Sequence, residues 1–132
     1  MIDSDTSALD EYMAALGQPQ DTPERAAARE AALQAGLRKA TFVPLSTMRI
    51  AARAWAPMLE MARLGNIASR SDLEVGARCL ETGIWGAHRN VVTNLTQLRD
   101  DAFRKAVSSE ADTLAARARA RSSEVLAILE KR

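Results

Sequence analysis

The sequence predicts an all-α fold, an antiparallel bundle of about five long helices formed by a single domain over residues 1–132. Three observations predict it. Apolar residues recur at helical spacing along the chain, and no stretch alternates as a half-buried strand would. Ala and Leu are abundant, whereas only six Gly and four Pro occur, a composition of strong helix formers. With 47% hydrophobic and 27% charged residues, the chain is globular rather than disordered.

The first two helices are predicted from their ends. The first begins around residues 3–5, where aspartates suit an N-cap, and ends at Gly17. The second begins at Thr22, an N-cap followed by Pro23 at the first helical position. Pro44 predicts a break or kink in this helix, because a proline disfavours helical geometry in the residue before it.

The third and fifth helices are predicted from their apolar periodicity. The third runs from Leu45 to Gly65 with apolar residues at alternating steps of three and four, and Pro57 should bend it. The fifth begins near residues 100–101, where two aspartates stand together, and continues to the end of the chain. Its arginine-rich face is predicted to be solvated.

The fourth helix is predicted from Ser71 to about Leu98. Ser71-Asp72-Leu73-Glu74 matches a capping box, in which Ser71 caps the helix and Glu74 reaches back to the cap. At about 100° per residue, one face of this helix is apolar. That face contains Leu73, Ala77, Leu80, Ile84, Val91, Leu95 and Leu98.

A second line of residues runs beside the apolar face of the fourth helix. Its members are small or polar: Asp72, Gly76, Cys79, Gly83, Asn90 and Asn94. Two interpretations stay open. In the structural one, Asp72 complements the helix dipole and the two asparagines bond to neighbouring helices. In the functional one, a planar ligand lies along the small residues, while Asp72 and the asparagines fix its hydrogen-bonding edge.

Composition excludes several classes of function. A formal net charge of +1, from 18 basic and 17 acidic residues, argues against a nucleic-acid-binding protein. No run of 18 apolar residues suggests a membrane span, and the acidic N-terminal sequence does not resemble a signal peptide, so a cytoplasmic protein is expected. Cys79, the one cysteine, is predicted to be a buried thiol, and His88, the one histidine, a surface or interface residue.

Several motifs together resemble one known family. GN-(any four)-SD, followed by a helix rich in Val, Ala and Gly and then by NV-(any two)-N, is similar to the cyclodeaminase/cyclohydrolase family. This family comprises the C-terminal domain of formimidoyltransferase-cyclodeaminase and the methenyltetrahydrofolate cyclohydrolases. The matching residues are Gly65, Asn66, Ser71, Asp72, Val75, Ala77, Asn90, Val91 and Asn94. Upstream, Asp3, Asp5 and Ala8 match the family's D-x-D-x-x-A-F helix, and an Ala-rich helix leads to a Val-Pro-Leu sequence.

The sequence departs from the family at its beginning. The family's PTPGGG motif and Gly-Lys-Lys turn are absent. The chain therefore resembles the C-terminal portion of a full cyclodeaminase-type domain. We expect apolar faces that the missing helices would cover to be exposed. The resemblance implies, as partners, a missing N-terminal segment or a formimidoyltransferase domain, and a homodimer or higher oligomer.

The resemblance implies folate one-carbon chemistry without a metal. A cyclodeaminase closes 5-formimidoyltetrahydrofolate to methenyltetrahydrofolate and releases ammonia; a cyclohydrolase opens methenyltetrahydrofolate with water. The sequence leaves the choice between them open. Asp72 is implied as the substrate-orienting or proton-transfer group. The implied substrate-binding residues are Asn66, Ser71, Gly76, Gly83, Asn90, Asn94 and Asp5. The alternative is a non-catalytic helical interaction or oligomerisation module derived from this family.

Overall fold

The fold is described from a computed structural model that covers the backbone of residues 2–132 and the side chains of Ser7 and of residues 9–132. Within this range every regular element is a helix, which confirms the all-α prediction. The elements are α1 (Ile2–Leu16), α2 (Pro23–Ala52), α3 (Trp55–Leu64), a short 3-10 helix (Ile67–Ser69), α4 (Arg70–Leu95) and α5 (Asp101–Glu130).

The direction of each helix follows from the residues that it pairs. Ala40 of α2 is bonded to Asn94 of α4, and Gln34, earlier in α2, is bonded to Gln97, beyond the end of α4, so these two helices are antiparallel. Arg49 of α2 pairs with Glu110 of α5, and Arg63 of α3 pairs with Glu124, which lies later in α5. The paired residues follow one another in the same order on both sides, so α2 and α3 run parallel to α5. Because α2 and α3 run in the same direction, one after the other, they form one column of the bundle with a short interruption between them.

The predicted break at Pro44 is wrong. α2 continues through Pro44 to Ala52, and the interruption lies at Arg53 and Ala54 instead. Pro57 is the third residue of α3, where a helix has no internal partner for the N–H that proline lacks. Since α3 has only 10 residues, residues 2–132 contain four long helices rather than about five.

The predicted cap of the second helix and the predicted start of the fifth are confirmed. Thr22 accepts a hydrogen bond from the backbone N–H of Arg25 at 3.3 Å, with Pro23 beginning α2. Asp100 accepts one from the N–H of Phe103 at 2.9 Å at the start of α5. Each cap satisfies a donor that the first helical turn leaves free.

The predicted capping box at Ser71 is wrong. The 3-10 helix leads directly into α4, so Ser71 is already inside the helix, and the residue before α4 makes no side-chain cap. Glu74 instead accepts a hydrogen bond from Arg70, at 2.8 Å. The side chain that caps this region is Asn66, whose Oδ1 accepts from the N–H of Ala68 at 3.0 Å. The predicted burial of Cys79 is also wrong, because its thiol is exposed.

The core has α4 at its centre, packed against both α2 and α5. The apolar face predicted for this helix is confirmed, with Leu80 partly buried and the other members buried. Its fully buried members pack with residues of α2 and α5 that are equally buried, namely Leu45, Met48, Val125 and Leu129. Burial of this face fixes the rotation of α4 and so turns its line of small residues away from the core.

Several large apolar side chains remain exposed among the described residues. Leu9 and Met13 form an exposed strip on α1, 58% and 57% exposed, and Leu64, the last residue of α3, is 78% exposed. Val75 and Trp85 are exposed on α4. This agrees with the expectation of uncovered apolar faces. No helix in the described part of the chain is both apolar enough and long enough to span a membrane.

Candidate functional site

A groove of about 520 Å³ lies between α2 and α4, which we call the α2–α4 groove. α2 supplies a wall of mainly apolar residues: Ala40, Val43, Pro44 and Thr47. α4 supplies the floor and the polar groups: Gly83, Gly86, Ala87, Asn90, Thr93 and Asn94. The buried face of α4 is adjacent to this line, so the same helical rotation that builds the core points these residues at α2.

Two glycines keep the floor of the groove open. A Cβ atom added at Gly83 or at Gly86 would have no neighbouring heavy atom within 4 Å. Packing within this chain therefore requires neither glycine, although each destabilises a helix interior by about 1 kcal/mol relative to alanine. Gly76 differs, because a Cβ there would lie 3.6 Å from Cε of Met58. The open floor at Gly83 and Gly86 suits a ligand, or another backbone, that lies against α4.

The polar groups of the groove are neutral. Asn90 is exposed, and its side-chain amide makes no hydrogen bond to another described group. The Nδ2 of Asn94 donates to the backbone carbonyl of Ala40 at 3.0 Å. The hydroxyls of Thr47 and Thr93 donate to carbonyls of their own helices. No titratable side chain lines this groove among the described residues, so these residues can orient a ligand by hydrogen bonds but do not themselves supply a proton-transfer group.

Two ion pairs hold the α2 wall in place against α5. Arg49 makes two hydrogen bonds to Glu110, at 2.6 and 2.7 Å, and Arg38 pairs with Asp100. The hydrogen bonds from Arg49, with its charge, lower the pKa of Glu110 below its ordinary value. The N–H of Phe103, assisted by Arg38, likewise lowers the pKa of Asp100. These pairs lie at both ends of the segment that lines the groove.

Asp72 lies far from the groove asparagines. It is exposed in the first turn of α4, next to the exposed Ser71. At a rise of about 1.5 Å per residue, Asp72 lies about 27 Å along the helix axis from Asn90. One chain therefore does not bring Asp72 and Asn90 to the same edge of a small ligand.

Asn66 and Gly65 have structural tasks. Asn66 caps the 3-10 helix. A Cβ at Gly65 would lie 2.5 Å from the carbonyl oxygen of Met61, so the close backbone approach requires glycine. Arg132 donates to the carbonyls of Gly65 and Ala62, both at 2.9 Å, and ties this turn to the end of α5. The site residue Asp5 lies outside the described side chains.

Of the residues that the sequence singled out, the structure brings three into the groove: Gly83, Asn90 and Asn94. Gly76 lies nearer the start of α4, outside the groove. Sequence reasoning missed the α2 wall, because Pro44 was interpreted as a break, and it missed Gly86. The i,i+3 spacing of Gly83 and Gly86 was a signal in the sequence for an open helix surface.

A second groove, of about 590 Å³, lies between α4 and α5. There Nε2 of His88 lies 2.7 Å from Oδ1 of Asp112, and Trp85 is exposed. Ser108 donates to the other carboxylate oxygen of Asp112 at 3.3 Å and makes no hydrogen bond to His88. The arrangement links two helices, and it contains no nucleophile activated by the histidine. The described residues contain no group of three or more metal-ligating side chains.

Comparison with known proteins gives consistent matches. The sequence model of formiminotransferase-cyclodeaminase matches residues 1–113. Over 129 residues the chain is 44% identical to formimidoyltransferase-cyclodeaminase of Dictyostelium discoideum, which covers 98% of this chain and 23% of that protein. The pig (Sus scrofa) protein of the same name is 43% identical, covering 100% of this chain and 24% of the relative. Methenyltetrahydrofolate cyclohydrolase of Methylorubrum extorquens is 36% identical, and the match covers 89% of this chain and 57% of that protein.

A solved structure has the same fold. The crystal structure of formiminotetrahydrofolate cyclodeaminase from Thermotoga maritima superposes with a TM-score of 0.81 at 23% identity, covering 97% of this chain and 60% of that one. At this identity the likeness concerns the fold alone. The chain thus spans about a quarter of the formimidoyltransferase-cyclodeaminases that it matches.

Proposed function

Because the chain belongs to the formiminotransferase-cyclodeaminase family, we propose that it serves folate one-carbon chemistry as part of a cyclodeaminase or cyclohydrolase domain. The substrate is a tetrahydrofolate derivative, and its site is the α2–α4 groove. The observation that carries this proposal is the groove itself, in which two glycines without a packing reason lie beside the free amide of Asn90. A flat, hydrogen-bonding ring fits such a surface.

The groove holds and orients the substrate. Both reactions of the family pass through a tetrahedral carbon between two nitrogens and need a proton transfer at a fixed position. The apolar α2 wall would cover one face of the ring, and the amide of Asn90 would bond to its polar edge. We place the proton-transfer group outside the described lining of the groove, which has no titratable side chain.

We propose Asp72 of a second copy as that group, within a homodimer or higher oligomer. If two α4 helices pack antiparallel and cross near Glu81, the partner copy's residue 72 lies level with Asn90 of the first, because the two positions are equally far from the crossing. The exposure of Asp72 and the line of small residues between it and Asn90 support this arrangement. Asn66 and Ser71 lie at the same end of α4 as Asp72 and would contribute to the shared site with it.

The shared site is tested by mixing subunits. With the N-terminal segment of a relative added, so that the unaltered chain is active, Asp72→Asn chains and Asn90→Ala chains should each be inactive alone. Their mixture should regain part of the activity, because one of its two sites is intact. If the mixture stays inactive and cross-linking shows that mixed oligomers formed, Asp72 and Asn90 do not act in one shared site.

The remaining partner in this proposal is the rest of the domain. The chain covers 57% of the cyclohydrolase and 60% of the Thermotoga chain that it matches. The exposed apolar strip of α1 is a surface that such further helices would cover. We therefore propose that catalysis needs an N-terminal segment, and that a formimidoyltransferase domain is a further partner.

The function is tested by following methenyltetrahydrofolate by its ultraviolet absorbance, with and without the purified chain, alongside binding of 5-formyltetrahydrofolate. The proposal expects saturable binding that Asn90→Ala weakens. As a control, Ser109→Ala changes an exposed polar residue of α5 outside the groove and should leave binding unchanged. Absence of binding and of turnover, also after an N-terminal segment from a relative is added, would contradict the proposal.

The second candidate is a non-catalytic helical module of the same lineage. The lack of titratable groups among the described residues that line the groove favours it. On this alternative the groove receives a helix of a partner instead of a folate, because a floor of glycines also admits a close backbone. Folate binding to the chain separates the two candidates directly.

A further inference from the structure

Pro44 leaves one carbonyl of α2 without its helical donor. In an α-helix the carbonyl of Ala40 would accept from the N–H of residue 44, but proline has no N–H, and its ring pushes that carbonyl outwards. Pro44 is nevertheless buried within α2, which continues for a further two turns. The carbonyl of Ala40 therefore has to find its donor outside the regular bonding of the helix.

Asn94 supplies that donor. Its Nδ2 lies 3.0 Å from the carbonyl oxygen of Ala40, and the bond is partly buried. The two neighbouring side-chain bonds of α2, from Thr41 to Leu37 and from Thr47 to Val43, stay within the helix and add to backbone hydrogen bonds. Among the carbonyls that line this wall, that of Ala40 is the one that has lost its backbone partner, and it receives its donor from α4.

We propose that Asn94 is a positioning residue that replaces the N–H missing at Pro44 and thereby sets the width of the α2–α4 groove. The proposal deepens the proposed function and rests on it for the identity of the ligand. Its structural part stands on the Asn94–Ala40 bond alone. Because one N–H of the Asn94 amide bonds to Ala40, we assign the main hydrogen bond to the ligand to the amide of Asn90.

The coupling is tested by a double-mutant cycle of Asn94→Ala and Pro44→Ala. In the wild-type background Asn94→Ala leaves a carbonyl without a donor and should lower Tm by about 3–8 °C. In the Pro44→Ala background the helix regains its own N–H donor, so Asn94→Ala should lower Tm by less than half as much. An equal loss of Tm in both backgrounds would overturn the coupling.

A measurement on the unaltered chain tests the proposal even if the variants fail to fold. In an NMR hydrogen-exchange experiment, the side-chain amide protons of Asn94 should exchange measurably more slowly than those of the exposed Asn90. Equal exchange at the two asparagines would show that the bond to Ala40 does not persist in solution and would also overturn the proposal.

The ligand part is tested with 5-formyltetrahydrofolate on the same four proteins. If Asn94 acts through Pro44 and Ala40, the loss of affinity caused by Asn94→Ala should largely disappear in the Pro44→Ala background. A loss of the same size in both backgrounds would instead make Asn94 a direct ligand contact and refute the positioning role. If no variant binds the folate, also after an N-terminal segment from a relative is added, the proposed function fails, while the Tm cycle still decides whether Asn94 and Pro44 are coupled.

Discussion

Substitutions at Gly83 should change the stability of the chain and the binding of a ligand in the α2–α4 groove in opposite directions. Gly83 lies in the interior of an α-helix, and a Cβ there meets no heavy atom within 4 Å. Alanine is favoured over glycine at such a position by about 1 kcal/mol. In a chain of this size Gly83→Ala should therefore raise Tm by about 3–5 °C. Gly86→Ala should behave alike, because its Cβ position is equally open.

The same substitution should impair binding. The side chain at Gly83 would point into the α2–α4 groove of about 520 Å³, against the face where we place the folate ring. Gly83→Leu fills this floor and should weaken the binding of 5-formyltetrahydrofolate at least about tenfold, equivalent to about 1.4 kcal/mol. Gly83→Ala should weaken it less.

Gly76→Ala is the matched comparison in the same helix. Its Cβ would make an ordinary contact, 3.6 Å from Cε of Met58, and it lies outside the groove. Thermal unfolding and calorimetric titration measure both effects. Gly76→Ala should raise Tm without loss of affinity; if it weakens binding instead, the site extends toward Asp72. Wild-type affinity in Gly83→Leu would refute the assignment of the groove as the site.

Three further predictions concern stability. The hydroxyl of Ser122 is buried without a hydrogen-bond partner in the described chain. Ser122→Ala should therefore leave the free energy of unfolding unchanged or raise it by about 1 kcal/mol in urea titrations. A lower free energy of unfolding would show that the hydroxyl has a hydrogen-bond partner. The pKa values of Glu110 and Asp100 are lowered by folding, so their stabilisation is present above the unfolded values near pH 4 and is lost as pH falls through the folded ones. Tm should thus be nearly constant above about pH 5 and fall below about pH 4, and the fall should be less steep in Glu110→Gln. An unchanged pH profile of Tm in that variant would contradict the assignment of part of this fall to Glu110. Gly65→Ala would force a Cβ against the carbonyl of Met61 and should destabilise the chain by about 1–3 kcal/mol in the same titrations, whereas wild-type stability would show that the turn relaxes freely.

The sequence predicted those features of the fold that depend on local chemistry. The caps at Thr22 and Asp100 are bonds between a side chain and a backbone N–H three residues away, so the pattern of residue types suffices. The buried face of α4 followed from periodicity alone. The capping box at Ser71 failed because the turn capped by Asn66 continues into α4 without a boundary.

The failure at Pro44 has a tertiary cause. A proline breaks a helix when nothing replaces the lost hydrogen bond, and here the replacement comes from Asn94 of another helix. That error also hid the α2 wall of the groove. The α4 side of the groove was predictable, since Gly83, Asn90 and Asn94 share one face. The axial distance between Asp72 and Asn90 could equally be calculated from the helical rise, and it separates Asp72 from the asparagines of its own chain.

The central claim is that the α2–α4 groove of this chain binds a reduced folate. An NMR titration of the isotopically labelled chain with 5-formyltetrahydrofolate tests it most directly. We predict saturable shifts concentrated at the amides of Gly83, Gly86, Asn90 and Thr93. No shifts at saturating ligand, or shifts centred on Trp85 in the groove between α4 and α5, would contradict the claim.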